Sequence, residues 1–305
     1  MFFRILRASK PCAIVMLVMA VAVAGSAQYN QEKERPGKGA GDVTLDAQLV
    51  KTGLYLISGG GGNSLLRLSG NGLIIVDGKL PGNYDALSRR VEKISKQPVR
   101  VLVVTDHLES HNGNNAKFLE AGTQILAQEN VKKNLASYNP PGGKIAPPTI
   151  TYDHEFRLRF GGVEAQLMHF GNAHTSGDTV VYFANLKVVA VGDLFASTPN
   201  PDFAAGGSLV GWSSVLAQIL KLDFDTVIPG TGAPITRADL EAFKAKIDIL
   251  LSRATGLVSK GVPKDQLMAQ LKTDDLGWRL TFTPDQVDHF YAELSRTSSQ
   301  PMNPS

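Results

Sequence analysis

The chain has 305 residues, 43% of them hydrophobic, with 31 basic and 28 acidic side chains and a formal net charge of +3. This length is enough for one large domain or two modest ones. The near balance of charge gives no electrostatic reason to expect binding to nucleic acid or to an anionic membrane surface.

The N-terminus has the pattern of a secretory signal peptide. Arg4, Arg7 and Lys10 precede the apolar run AIVMLVMAVAVAG, and Gly25 and Ala27 are the small residues that a signal peptidase reads. The apolar run is short for a membrane span. We expect cleavage after Ala27, export to a periplasm or the cell exterior, and no stable membrane span afterwards. An uncleaved N-terminal anchor is the alternative.

Loss of this signal peptide changes both the charge and the available metal ligands. Residues 1–27 contain three basic residues and no acid, so the mature chain has 28 basic and 28 acidic residues. Cys12, the only cysteine, also leaves. The mature protein then has no disulfide and no thiolate, so any metal must be held by His, Asp or Glu. An exported protein without disulfides suits a bacterial periplasm or exterior.

Strand signals dominate the first part of the chain. Residues 28–42 are polar and Gly-rich and predict a disordered lead-in. The strand signals LYLIS, SLLRLS and GLIIVDG follow, separated by Gly-rich turns. The GGGG run at 59–62 lacks the Lys-Ser/Thr ending of a phosphate-binding loop, so a flexible hairpin turn is the better interpretation. Leu87, Val91 and Ile94 then have helical spacing.

The middle of the chain alternates between strand and helix signals. VRVLVV predicts a strand that is covered on both faces, NNAKFLEAG the start of a helix, and TQILAQ another strand. The segment 139–148, NPPGGKIAPP, predicts a loop. Four more strand signals follow, EFRLRF, VEAQLMHF, TVVYF and KVVAVGD, and then a helix over 212–221 and the strand TVIPG.

Two helices with capping boxes end the domain. Thr236 and Asp239 predict the start of a long helix from 237, with an inner face of Leu240, Phe243, Ile247 and Leu251. Thr283, Pro284 and Gln286 predict the start of the last helix, with an inner face of Val287, Phe290, Tyr291 and Leu294.

Strands and helices thus alternate in two batches, each opening with antiparallel-type hairpins. Two mixed sheets packed face to face with helices outside, a four-layer αββα sandwich of the α/β (α+β) class, bury these elements well. No short repeat or clear linker interrupts them. We predict one domain over 43–298, followed by a tail over 299–305.

Polar residues cluster where three apolar strands end. They lie between Asp106 and His111, in GNAHTSGD (171–178) and in VVAVGDLF (188–195). Loops at strand ends commonly carry functional sites. The candidate ligands are two imidazoles and two carboxylates, a mixture that suits zinc or another divalent transition metal: Asp106, His111, His174 and Asp193.

These motifs resemble the metallo-β-lactamase superfamily over nearly all of the mature chain. TDHLESHNGNN fits the signature Thr-His-x-His-x-Asp-His without a gap, and GNAHTSGD fits Gly-x-x-His-Thr-x-Gly-Asp. VVAVGDLF matches the apolar strand that ends in Gly-Asp, PGTGAPITRADL matches Pro-Gly-His-Gly before a helix, and LIIVDG matches an early strand. The resemblance implies an αββα sandwich with one or two metal ions at one edge.

The departures from this pattern concern the metal ligands. Asp106 stands in place of the first His, and Leu108, Ser110 and Thr231 replace a His, an Asp and the last His. Three of the seven ligand positions hold the family residue, and they are His111, His174 and Asp193. Leucine has no lone pair to donate, and an apolar side chain beside a dication is unfavourable. The resemblance therefore implies at most a single metal, with a full di-zinc site disfavoured.

Simpler interpretations exist for each candidate residue. His174 and Asp193 can form a hydrogen-bonded pair without metal, with His111 in a similar role, and Asp106 can cap the turn after its strand. Other polar and aromatic residues are expected outside the ligand set. Asp77 and Asp178 are structural or ligand-supporting acceptors, and His169 packs or supports a ligand. His107 and Glu109 lie at the rim or in solvent, where they could line a substrate pocket or replace a ligand if the loop is remodelled. His154 and His289 are surface or helix residues, and Trp212 and Trp278 are core or groove-covering residues.

Two functions are consistent with the sequence. The first is an exported hydrolase in which one divalent metal, with zinc the first choice, activates water against an ester, amide or lactone bond, and Asp193 and His111 serve as catalytic residues. The second is a non-catalytic binding protein that uses the old cleft for a small molecule or a partner. The sequence leaves both open.

Overall fold

The computed structural model describes residues 43–298. The predicted signal peptide (1–27), lead-in (28–42) and tail (299–305) lie outside this range. No helix within it is long and apolar enough to cross a membrane.

The first sheet contains seven strands in sequential order. Its first four strands are joined by antiparallel hairpins, and from the fourth to the seventh strand the pairing is parallel. The strands are β1 Asp46–Lys51, β2 Leu54–Ser58, β3 Ser64–Ser69, β4 Gly72–Val76, β5 Val99–Val103, β6 Gln124–Gln128 and β7 Ile150–Tyr152.

The second sheet contains six strands in the order β13-β12-β11-β10-β9-β8. All of its pairs are antiparallel except β11 with β12, which is parallel. The strands are β8 Glu155–Phe160, β9 Val163–Met168, β10 Val180–Phe183, β11 Val188–Gly192, β12 Thr226–Pro229 and β13 Ile235–Thr236.

Helices cover the outer face of each sheet. The helices that follow strands of the first sheet in the chain are α1 Tyr84–Glu92, α2 Glu109–Asn112, α3 Asn115–Glu120 and α4 Glu129–Ser137. The helices that follow strands of the second sheet in the chain are α5 Leu209–Ile219, α6 Arg237–Ser259, α7 Lys264–Gln270 and α8 Pro284–Ser298.

Three apolar clusters hold the four layers together. Alternate residues of one strand point to opposite faces, so Ile74 packs between the sheets while Ile75 packs against the outer helices. The cluster between the sheets joins Val103 of β5 to Phe183 of β10. The outer cluster on the second sheet includes Phe290 of α8. The predicted αββα sandwich is confirmed.

Hydrogen bonds confirm both predicted capping boxes. Asp239 accepts from the backbone N–H of Thr236 at 2.8 Å, and Thr283 N–H donates to Gln286 Oε1 at 2.9 Å. The helix predicted over 212–221 begins earlier, at Leu209, because the Ser208 side chain accepts from Gly211 N–H and caps it.

The GGGG run forms the predicted hairpin turn between β2 and β3. All four glycines have φ between 68° and 156°, a region that other residues rarely adopt. The turn is bonded to the second sheet, because Asn63 N–H donates to the Gly230 carbonyl at 2.7 Å and Asn63 Nδ2 donates to Pro229 O at 2.9 Å. These two hydrogen bonds join the two sheets at one edge of the sandwich.

Truncation of Phe290 to Ala is expected to destabilise the protein by about 3–5 kcal/mol, because the ring is fully buried in the outer core. Ile249→Ala on α6, where the side chain is 43% exposed, is the control and is expected to change stability little. Urea unfolding of both variants measures the difference. Equal midpoints would contradict the packing described for α8.

Candidate metal centre

The candidate ligands lie at one edge of the sandwich because their strands end there. Asp106 follows β5 and Asp193 follows β11, and both are parallel-paired strands with their carboxyl ends at this edge. His111 lies on α2, and His174 lies in the loop after β9. Segments far apart in sequence therefore bring their polar groups to one place.

The structure brings all four candidate side chains together. His111 Nε2 lies 3.5 Å from Asp106 Oδ2 and 3.3 Å from Asp193 Oδ2. His174 Nδ1 lies 3.4 Å from the same Asp106 oxygen. Ligand atoms of Asp106, His174 and Asp193 all lie within 4.8 Å of one another.

Three of these converging atoms have no hydrogen-bond partner in the described part of the chain. They are Asp106 Oδ2, His111 Nε2 and His174 Nδ1, and all three are buried. A buried polar atom without a partner costs about 1–3 kcal/mol, so these three either pair as imidazolium and carboxylate across 3.3–3.5 Å or bind a cation between them. Neighbouring ligands of a tetrahedral zinc at 2.0–2.1 Å are about 3.4 Å apart. The donor set therefore fits one divalent cation.

Asp77 fixes the orientation of His111. Asp77 Oδ2 lies 2.9 Å from His111 Nδ1, which directs Nε2 of the same ring into the centre. Thr105 holds the carboxylate through its N–H and its hydroxyl, each at 2.8 Å. A ligand histidine is commonly oriented in this way by an acceptor on its other nitrogen. The predicted supporting role of Asp77 is thus confirmed in its contacts.

Asp106 uses its two oxygens differently. Oδ1 accepts from Leu108 N–H at 2.8 Å, which is the turn-capping role that its position after a strand predicts. Oδ2 points into the centre between His111 and His174. The turn-capping interpretation of Asp106 is therefore confirmed, and Oδ2 has the position that the ligand interpretation requires.

Asp178 supports the loop that carries His174. It accepts from the N–H of Thr175 at 2.9 Å and from its hydroxyl at 2.7 Å, and it lies 3.9 Å from His174 Nδ1. Burial raises the pKa of Asp178 to about 7, against the lowering effect of His174 and Thr175. As predicted, Asp178 is an acceptor at the margin of the centre.

The carboxylates raise the pKa of both central imidazoles. Burial alone lowers the pKa of His174, but Asp106 and Asp193 outweigh it and raise that pKa to about 9. Burial of His111 is outweighed by Asp106, Asp77 and Asp193, and its pKa lies well above the ordinary value. The imidazoles lower the pKa of Asp106 in spite of its burial. The centre thus attracts positive charge to these nitrogens, and a bound metal would replace their protons.

A cleft of about 310 Å³ opens beside the centre. His174 and Asp193 line it, whereas His111 and Asp106 lie behind them, each with a side chain only 1% exposed. The side chain of Asp193 is 25% exposed. Polar residues including Asn200, Thr281 and Arg279 complete the walls together with Leu280 and Phe282.

A family model described as "Metallo-beta-lactamase superfamily" matches residues 57–231, more than half of the chain. The chain belongs to the metallo-β-lactamase superfamily. It is also 26% identical over 251 residues to the 2,4-dinitroanisole O-demethylase subunit alpha of Nocardioides sp.. That match covers 81% of this chain and 73% of the relative.

Solved structures share the fold of this superfamily member. A metallo-beta-lactamase from Pontibacter korlensis has a TM-score of 0.60 at 17% identity, covering 67% of this chain and 99% of that one. The metallo-beta-lactamase DIM-1 has a TM-score of 0.59 at 19% identity, covering 68% and 99%. FIM-1 from Pseudomonas aeruginosa, described in its mono-zinc form, has a TM-score of 0.58 at 18% identity, covering 68% and 95%.

Other residues stand at three superfamily ligand positions in this chain. Leu108 and Ser110 are partly buried and Thr231 is exposed. The neighbouring Gly230 leaves no room for a side chain, because a Cβ there would lie 2.1 Å from Asp193 Oδ1 and 3.0 Å from His111 Cε1. The backbone of this loop thus packs directly on the centre.

The expectation that His107 lies at the rim is wrong. The side chain is 2% exposed, Nε2 lies 3.3 Å from Asp202 Oδ2, and the ring packs edge-on against Tyr138 at 4.9 Å. Two loops from distant parts of the sequence close over it, which no local pattern signals. Glu109 is partly buried and accepts from Gly142 N–H at 3.3 Å, so it holds the 139–148 loop.

The remaining candidates divide between packing and support. His169 Nδ1 lies 2.9 Å from the Asp178 carbonyl, in the predicted supporting position, and burial lowers its pKa. Trp212 and Trp278 are buried, as predicted. The sequence analysis missed Arg279 in the cleft wall, because nothing near it in sequence marks a site.

Gly230→Ala is expected to destabilise the protein by about 1–3 kcal/mol, because the new methyl group must displace the Asp193 carboxylate. Gly256→Ala is the matched control, since its Cβ would meet open space on α6 and alanine favours a helix by up to ~1 kcal/mol. Urea denaturation checks both. An unchanged Gly230→Ala variant would show that the loop does not pack on the centre as described.

Proposed function

We propose that this protein is a metal-dependent hydrolase with a single divalent ion, zinc in the first instance, held by Asp106, His111, His174 and Asp193. One observation carries the proposal. Ligand atoms of Asp106, His174 and Asp193 lie within 4.8 Å of one another, and the buried Nε2 of His111 lies 3.5 Å and 3.3 Å from the two carboxylates. That spacing suits the coordination shell of a zinc ion.

The replaced positions favour one ion over two. In the superfamily pattern, the second ion relies on the positions that Ser110 and Thr231 occupy here, and Leu108 removes a ligand from the first. Asp106 compensates for the first ion because its carboxylate contacts both imidazoles. His111 is drawn into the same set, since its Nε2 lies against Asp106 and Asp193.

Exposure to the cleft distinguishes the proposed roles of Asp193 and His111. A divalent ion that accepts a further ligand besides these four side chains would supply Lewis-acid polarisation of a substrate carbonyl and activation of water. Asp193 is the carboxylate that reaches the cleft, so its oxygen is placed to accept a proton from an attacking water. For His111, burial and the contact with Asp77 favour the ligand role over the acid–base role.

Esters, amides and lactones are the proposed bond types, because a polarised carbonyl is common to all three. The relative named as a 2,4-dinitroanisole O-demethylase subunit adds an aryl methyl ether to the bonds to be tested. Hydrolysis of β-lactams by a two-zinc mechanism is disfavoured, since ligands for a second ion are missing.

A non-catalytic binding protein is the second candidate. The observation in its favour is the loss of ligands at Leu108, Ser110 and Thr231, with a cleft of about 310 Å³ retained. In that case the imidazoles and carboxylates form a charged network that needs no metal. A catalytic rate that a chelator abolishes would rule this candidate out.

Export to a periplasm or the exterior is part of the proposal. It rests on the basic, apolar and small-residue pattern that ends at Ala27. Fractionation of cells expressing the full chain, with N-terminal sequencing of the product, tests it. A cytoplasmic product that retains Met1 would overturn it.

The protein is expected to bind about one zinc or cobalt ion per chain, with cobalt absorption bands typical of a four-coordinate site. His174→Ala is expected to lose the ion, because it removes a donor that contacts Asp106. His154→Ala, whose side chain is 81% exposed, should keep it. Elemental analysis after metal loading and desalting measures the content. Failure of the wild-type protein to retain metal would contradict the metal site.

Restoration of the superfamily ligands, Leu108→His, Ser110→Asp and Thr231→His together, is expected to raise the metal content to about two ions per chain and to increase hydrolysis of aryl esters, lactones and β-lactams. The reason is that these positions lie at the same edge as the existing donors. Elemental analysis and a substrate panel that includes an aryl methyl ether measure both effects. No second ion in a folded triple variant would contradict the positional match.

A further inference from the structure

The cleft beside the proposed metal centre contains a cation without a counter-ion. Arg279 lines the cleft together with His174 and Asp193, and it is exposed. Within residues 43–298 no hydrogen bond or ion pair engages its guanidinium. Exposed arginines elsewhere in the described chain include ones with acidic partners, such as Arg159, which binds Glu164 at 2.9 Å. Arg279 therefore keeps its donors available to a ligand.

The backbone around Arg279 is fixed on both sides. Trp278 before it is buried, and its carbonyl accepts from the Thr273 hydroxyl at 2.7 Å. Phe282 after it packs edge-on against Phe290 of α8 at 5.8 Å. These anchors fix the backbone of Arg279 beside the cleft, so ligand binding has to order only its side chain, at a cost of about 0.5–1.5 kcal/mol.

Apolar and neutral polar side chains line the cleft together with Arg279. Leu280 and Phe282 supply apolar wall, while Thr281 and Asn200 supply neutral hydrogen-bonding groups. No acidic side chain other than Asp193 lines the cleft among the described residues. A volume of about 310 Å³ is at the lower end for ligand sites and suits a small molecule.

We propose that Arg279 binds a carboxylate on the substrate and so makes the protein selective for small anionic molecules with an aromatic or apolar body. The body would lie against Leu280 and Phe282, with the reacting bond toward His174 and Asp193. A planar guanidinium pairs with a planar carboxylate through two parallel hydrogen bonds, which gives orientation as well as affinity. This substrate class rests on the proposed hydrolase function, whereas the carboxylate site itself does not.

The test uses benzoate and its neutral analogue benzamide as probes of the full chain, after chelator treatment and after zinc loading. Ligand-observed NMR titration gives the affinity of each probe. Benzoate is expected to bind more tightly than benzamide in the chelated protein. Arg279→Gln should weaken benzoate binding at least about tenfold and leave benzamide unchanged, because a charge-assisted hydrogen bond is lost.

Two further variants sharpen the test. Arg279→Lys keeps the charge but not the paired donors, so an intermediate affinity for benzoate is expected. Arg100→Gln is the charge-matched control, since Arg100 lines a separate apolar groove with Phe156 and Phe160. It should leave benzoate binding unchanged. Thermal melts of all three variants verify that they fold.

The outcomes separate this inference from the proposed function. Equal affinity for benzoate and benzamide, or loss of benzoate binding in Arg100→Gln rather than Arg279→Gln, overturns the carboxylate site whatever the metal content. Loss of benzoate binding in Arg279→Gln supports the site even if the protein retains no metal. If aryl esters are turned over, Arg279→Gln should lower kcat/KM for a carboxylate-bearing ester more than for its carboxamide analogue, and an equal loss overturns the selectivity.

Discussion

One carboxylate oxygen, Asp106 Oδ2, lies between two imidazole nitrogens, and the rest of the centre is arranged around this contact. The oxygen is buried and has no hydrogen-bond partner among the described residues. Its negative charge can be stabilised there only by protonated imidazoles or by a cation. This edge of the sandwich therefore favours the binding of positive charge.

The surrounding structure maintains that arrangement from several directions. Asp77 and Thr105 hold His111 from behind, and Asp178 holds the loop of His174. Gly230 allows the loop after β12 to approach Asp193 closely. These supports are present although three superfamily ligand positions are replaced, which agrees with the proposed single-metal site. The partly exposed Asp193 connects the centre to the cleft beside it.

Local patterns predicted most of the fold. The apolar strands, the helices α1, α5, α6 and α8 and both capping boxes follow from periodicity and cap residues that act within a few positions. The helix α4 and the strand β1, which the sequence patterns did not predict, have weaker local signals. The cap of α4 is Gln128, a residue that seldom caps, and β1 has an irregular register with several exposed side chains.

The sequence by itself determined the family frame, the candidate ligands and the replaced ligand positions, because motif spacing records which residues follow each strand. Only the tertiary structure decided that Asp106 faces both imidazoles, that His107 is buried, and that Arg279 reaches the cleft. These facts depend on loops that lie far apart in sequence and meet at one edge of two packed sheets. Local sequence patterns do not predict contacts between these loops, since the contacts depend on how the strands pair and how the sheets pack.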